Sequence, residues 1–419
     1  MNRKGIKVNT RDYFIDSYLN PKGTDTETSP RDWHSPGSGG ERITGIKRIL
    51  RPAAWFFYLV VVCEILFMIS PFALYFYSVY GPTLNFFNRS SITAWLTQFF
   101  LPHISRTTSP MLNSIHWLSG LLILTGIVLF LAGAIPIYWA KFRHKGAVTG
   151  GLYVIIPHPQ YVGLGVLGSG TLLLWSRFIV LITYITMLFL YDILARWEEE
   201  QCLARFGESY RDYRARTGMY LPQSLSKRIP WILPASGGKR VLANFVIYAA
   251  VLVSTVIIAF GLRDYSLSKI SVFYTNDATV LSPAPLTDQE LRAAYNVAVA
   301  DTRVREALRM ARQKKLIVYV VPQDWYLVDL PMETVRNVPG YGHYEPMNFD
   351  RQHYKLLFAR VRTYNAGVAG RDIIKDAYGR DPIVLVKVDT ISARVTGIEI
   401  PPPHVYCGRH SYPYVLKRS

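Results

Sequence analysis

Charge is scarce in this chain of 419 residues: only 18% are Asp, Glu, Lys or Arg, against 50% apolar and 14% aromatic. So oily a composition excludes an ordinary soluble enzyme and a disordered chain alike, and it points to a membrane protein. Cysteine is scarcer still. Cys63, Cys202 and Cys407 lie far apart, so neither a disulfide framework nor a paired-cysteine zinc site follows. The first 45 residues lack the apolar core of a cleaved export signal. They read as a cytoplasmic arm, with a Gly/Ser/Pro/Thr-rich stretch from Asn20 to Gly40 too poor in apolar surface to fold alone. Acidic residues are outnumbered, 29 against 47 Lys plus Arg, and most of the excess base precedes Leu262, in the apolar part. In such a protein that excess marks cytoplasmic loops and anionic lipid, and nucleic acid is not the expected partner.

Crossing the hydrocarbon takes about 20 mostly apolar residues. Five stretches meet or approach that length: roughly Ala53–Tyr77, Ile115–Trp139, Tyr161–Trp175, Phe178–Ala195 and Val241–Leu262. The third is short; its Gly163, Gly165, Gly168 and Gly170 suit close helix contact, and Ser176-Arg177 is tight enough a break to fold it back on the fourth as a hairpin. Lys and Arg stay on the cytoplasmic side. Ten precede the first span, Arg89 and Arg106 alone separate the first two, and nine lie between the fourth and fifth. The expected protein is therefore integral to an inner or plasma membrane, with residues 1–50 cytoplasmic, 51–262 transmembrane, and 263–419 an extracytoplasmic domain.

That last piece changes character. Thr287-Asp-Gln-Glu290 is a capping box ahead of a helical pattern running to about Lys314. Short β-rich runs follow at Leu316–Val321, Trp325–Leu330, Tyr354–Arg362, Ile383–Val388 and Arg394–Ile400, divided by Gly, Pro and Asn turns. The fold class expected is thus a polytopic α-helical membrane protein with about five transmembrane helices and a C-terminal extracytoplasmic α+β domain. The run from Val388 to Glu399 faintly resembles the closing strands of PepSY-type domains.

The chemistry is concentrated between Val148 and Pro222: Val-Thr-Gly-Gly-Leu-Tyr153, then His158-Pro-Gln-Tyr-Val-Gly163, then Arg196-Trp-Glu-Glu-Glu200 and Phe206-Gly-Glu-Ser-Tyr-Arg-Asp-Tyr213. Three adjacent carboxylates, Glu198, Glu199 and Glu200, cannot share one helix face, because neighbours are about 100° apart. They also repel one another, and burial would raise a carboxyl pKa. The combination of a His-Pro-x-Tyr-x-Gly element, a helical hairpin, a Glu pair and Phe-Gly-x-x-Tyr-x-x-Tyr, over about 75 residues, resembles the integral-membrane methyltransferases typified by isoprenylcysteine carboxyl methyltransferase and the phospholipid N-methyltransferases.

The resemblance implies a transferase that binds S-adenosyl-L-methionine on the cytoplasmic side and admits a lipophilic substrate from the bilayer. It places Tyr153, His158, Pro159, Tyr161, Gly163 and Tyr210 at the cofactor, and Glu198, Glu199 and Arg196 in catalysis. Methyl transfer is an in-line displacement at a sulfonium-bound carbon, so positioning, charge and exclusion of water are what the protein must supply. The chain departs from the family at Pro157 and Val154, and again at Leu194 and Ala195, where arginines are common. Those departures and the added C-terminal domain motivate an alternative: a non-catalytic scaffold subunit of a membrane complex, docking through residues 263–419. A third reading, a NADPH-dependent membrane reductase, rests on Glu198, Glu199, Cys202 and Phe206-Gly207, which also fit the tail of membrane sterol reductases.

Other signals have plainer readings. No metal site is expected: His404, Cys407 and His410 give three ligands in a Pro-rich tail where structural zinc needs four. Glu64, inside the first span, must face protein or water, and His116 reads as interfacial. Lys227-Arg228 and Lys239-Arg240 read as retention signals for the fifth span, and the six cations from Arg303 to Lys315 as a solvated face.

Overall fold

A computed structural model describes residues 39–103, 105–143, 148–220, 222–226, 238–311, 315–327, 341–342 and 348–401. The N-terminal arm up to residue 38, Lys227-Arg228, and the His404, Cys407 and His410 group lie outside the described residues. The long helices are α1 (Gly39–Tyr77), α2 (Ile115–Phe142), α3 (Pro159–Leu174), α4 (Phe178–Phe206), the short α5 (Glu208–Arg216) and α6 (Gly238–Leu267).

Four segments among the described residues are long and apolar enough to cross a membrane: Tyr58–Tyr77, Pro110–Phe142, Phe178–Phe206 and Val241–Leu267. These are four of the five stretches expected. The third stretch forms α3, but its 16 residues rise only about 24 Å, short of the ~30 Å of hydrocarbon.

The chain divides into two compact units. The first takes in residues 1–72, 125–165 and 190–231. Here α2 and α3 meet backbone to backbone: a Cβ added to Gly163 would lie 2.7 Å from Phe130 Cα and 3.0 Å from the Gly126 carbonyl oxygen. Pro159 opens α3 at the position where a missing N–H leaves nothing unsatisfied. Phe67 of α1 packs edge-on against Trp197 of α4, with ring centres 6.1 Å apart. Glu64 forms an ion pair with Lys141 of α2, which answers how a carboxylate can sit in an apolar helix.

The second unit comprises residues 73–124, 166–189 and 232–419. Ser119 Oγ donates to the Gly170 carbonyl at 2.8 Å, and Tyr75 Oη to that of Gly168 at 2.7 Å. The turn between α3 and α4 is braced by Phe100 N–H donating to Ser176 at 2.9 Å and by the Arg177 guanidinium lying over the Phe99 ring. His116 Nε2 is 3.0 Å from the His103 carbonyl oxygen.

The C-terminal domain of this unit is a six-stranded sheet in the order β1-β2-β3-β6-β7-β8, where β1 is Ser271–Tyr274, β2 Ala278–Ser282, β3 Leu316–Pro322, β6 His353–Thr363, β7 Ala377–Asp389 and β8 Arg394–Glu399. A separate pair joins β4 (Tyr326–Leu327) to β5 (Tyr341–Gly342). All neighbours in the large sheet are antiparallel except β2 and β3, and that parallel pair is joined through helices α7 (Asp288–Ala300) and α8 (Thr302–Met310). The Thr287/Glu290 capping box forms as expected. The single helix expected to run to Lys314 does not: Asp301 ends α7 and caps α8 by accepting from Arg303 N–H at 2.8 Å. α7 buries Leu291, Ala294 and Ala298, three and four residues apart, against a core that includes Val280, Val318, Leu356, Phe358 and Leu385. Where Ala359 faces Pro382, the register shifts by a bulge, the arrangement that accommodates a residue with no N–H to give the ladder.

This sheet is hydrogen-bonded to the segment between α1 and α2. Gln98 Nε2 donates to the Ala377 carbonyl at 2.7 Å, Tyr364 Oη to that of Ser91 at 2.8 Å, and Arg106 N–H to that of Pro283 at 2.9 Å. Arg263, near the end of α6, donates to the carbonyls of Ile374 and Lys375, both at 3.2 Å.

Candidate functional site

The residues singled out by the motif converge inside the first unit. His158 stands immediately before Pro159 at the head of α3 and is only 4% exposed. Its Nδ1 lies 3.4 Å from Glu198 Oε2 and its Nε2 3.8 Å from Glu199 Oε1. Neither ring nitrogen completes a hydrogen bond among the described residues. Burial pushes the imidazole pKa down, but its interactions with Glu198 and Glu199 outweigh that and hold it above the ordinary 6.5.

Helix geometry separates the three adjacent glutamates as their angular spacing requires. Glu199 is buried, Glu198 half-buried and Glu200 exposed. Tyr161, one turn into α3, donates from its hydroxyl to Glu198 Oε1 at 2.5 Å and stacks on Tyr191 with ring centres 4.9 Å apart. His158 stacks against Tyr161 at 5.7 Å and approaches Tyr220 at 6.3 Å. A buried imidazole, two carboxylates and three phenol rings therefore share one neighbourhood.

The tail following α4 closes on this cluster because Gly207 turns the chain at φ +53°, ψ −129°, a conformation open to glycine and hardly any other residue. The turn sends α5 back so that Tyr213 Oη donates to the Tyr153 carbonyl at 2.6 Å. Burial, then the charges of Cys202 and Glu199, push the Tyr213 phenol up to about 12, so it stays a donor at neutral pH. Tyr210 stacks on Tyr213 with centres 5.6 Å apart.

Three other expected residues serve packing or pairing. The Tyr153 hydroxyl is 2.8 Å from the Gly133 carbonyl and 3.1 Å from Gln160 Oε1, which anchors the turn before α3 to α2. Gly163 lies against the Phe130 backbone, a helix-packing position. Arg196 donates through Nε and Nη2 to Asp192 at 2.7 and 3.1 Å, and Tyr220 donates to the same carboxylate at 3.3 Å. Arg196 borders the cluster through that pair.

Three contributors carry no motif signal. Tyr191 and Tyr220 lie within the Val148–Pro222 region but outside its quoted motif residues. Arg214 is one of nine basic residues between the fourth and fifth stretches, yet its Nε lies 3.2 Å from Glu199 Oε2 while the side chain stays about half exposed, at 52%. The i, i+4 spacing of Asp192 and Arg196 was a readable signal; the pairing of Glu199 with Arg214 depends on the reversal at Gly207 and was not. No group of three or more His, Cys, Asp or Glu side chains among the described residues is arranged to hold a metal ion. Compared with family models, curated proteins and solved structures, the chain matches none.

Proposed function

We propose that this protein binds S-adenosylmethionine in the first unit and transfers its methyl group to a carboxylate or amine of a lipophilic molecule at the membrane surface. The observation that carries the reading is convergence: His158 and Tyr161, Glu198 and Glu199, and the Tyr213 tail come from three separate stretches of chain and meet around one buried, under-bonded imidazole.

The donor set suits the cofactor. A sulfonium is attracted by carboxylates and by the faces of aromatic rings, and the cluster offers Glu198 and Glu199 with Tyr161, Tyr191 and Tyr220 beside them. Orphaned polar atoms such as the His158 nitrogens call for a further polar partner. When bound, the cofactor supplies an electrophilic methyl group. Tyr161 fixes Glu198 through Oε1, which leaves Oε2 next to His158 Nδ1. Glu198 and Glu199 hold positive charge, and His158 keeps their mutual repulsion in check. An amine acceptor must lose a proton on methylation, and Glu198 Oε2 is placed to receive it; a carboxylate acceptor needs no base.

The Lys and Arg that precede the first apolar stretch and those that lie between the fourth and fifth support placing this cluster on the cytoplasmic face. The test is calorimetric titration of S-adenosylmethionine into purified full-length protein, with His158→Ala and Glu199→Ala as controls. Saturable binding abolished by both substitutions is the expected result. Absence of heat at millimolar cofactor overturns the proposal and leaves the scaffold reading.

A further inference from the structure

Whatever zwitterion enters this cluster brings an anion as well as a cation; the carboxylates account only for the cation, and both nitrogens of the buried His158 already face those carboxylates. Two guanidinium groups reach the neighbourhood. Arg196 is committed to Asp192 by a two-pronged hydrogen bond. Arg214 meets the buried Glu199 through Nε at 3.2 Å with about half of its side chain, 52%, in the open. A guanidinium carries five N–H donors in a planar fork, so one edge can hold a protein carboxylate while another takes a second anion.

We propose that Arg214 is the residue that holds the α-carboxylate of the cofactor's amino-acid portion, an assignment that rests on the cofactor reading above. Its placement follows from the local fold. Gly207 reverses the chain, Tyr213 Oη fastens the helix to the Tyr153 carbonyl, and the next residue projects its charge onto Glu199. The carboxylate that attracts the sulfonium and the guanidinium that attracts the carboxylate thus form one ion pair. That pair orients a zwitterion end to end. Arg211, on the same helix, pairs instead with Glu208, with both side chains well exposed, and has no part in this.

The test compares two probes by calorimetry on the full-length protein in lipid nanodiscs: S-adenosylmethionine, and 5′-methylthioadenosine, which keeps the nucleoside and lacks the amino acid. Losing one charge-assisted contact should weaken S-adenosylmethionine binding about 10-fold to 100-fold in Arg214→Gln. Methylthioadenosine binding should not change, Arg214→Lys should fall between, and Arg211→Gln should match the parent protein. Equal weakening of both probes in Arg214→Gln, or of neither, overturns the assignment while the cofactor reading stands. Binding of neither probe by the parent protein overturns both.

Discussion

Replacing Gly163 by alanine tests whether close approach of α2 and α3 sets the geometry of the whole cluster. An added Cβ would stand 2.7 Å from Phe130 Cα and nearer still to its nitrogen, whereas ordinary contact begins at 3.4 Å. The two backbones must therefore part by more than about 0.7 Å, since neither partner is a side chain that can swing aside. Overpacking of this kind destabilises by about 1–3 kcal/mol. The control is Gly120→Ala, five residues into α2, where an added Cβ meets nothing within 4 Å and should be neutral or stabilising by up to about 1 kcal/mol. Unfolding of both variants in mixed micelles, followed by far-ultraviolet circular dichroism, measures the difference. The displacement also has a functional side. His158 lies five residues before Gly163 and 3.4 Å from Glu198, so a shift of this size in α3 should also impair any cofactor binding. If Gly163→Ala unfolds like the parent protein, the helices are not in backbone contact and the reasoning fails.

Two further outcomes follow from the geometry. Because His158 gains proton affinity on folding, its contribution to stability is complete below its ordinary pKa of 6.5 and disappears as pH rises through the higher folded value; unfolding titrations across that range should show a loss that His158→Gln removes, and an unchanged slope in the variant would count against the buried ion pair. In the sheet domain, Thr287→Ala removes the cap that accepts from Glu290 N–H at 3.2 Å and should destabilise by about 1 kcal/mol, read as faster amide exchange at the first turn of α7; unchanged exchange there would show that the cap contributes nothing.

How much of this could be read from residues alone depended on range. Hydropathy marks the long helices because each is decided within its own 20 or so residues, and the Thr287 capping box is a four-residue signal. The separation of Glu198, Glu199 and Glu200 around α4 follows from the helical turn. Strands β1 and β2 escaped detection: they hold four and five residues, and β2 is buried throughout, so it shows none of the alternation that marks a half-exposed strand. The break at Asp301 was hidden because a good N-cap residue sat inside an otherwise helical pattern. Arg214 was hidden for a different reason. Its partner lies fifteen positions back, and only the positive φ at Gly207 brings the two together.

The hydrogen bonds from Gln98, Arg106 and Tyr364 change what the C-terminal sheet means for the chain. A protease cut or a stop codon just past α6 would take away more than an appendage: it would strip carbonyl and donor partners from a stretch translated some 170 residues earlier. That stretch and the sheet are co-dependents, so shortened versions of this protein should lose order upstream of where they were cut.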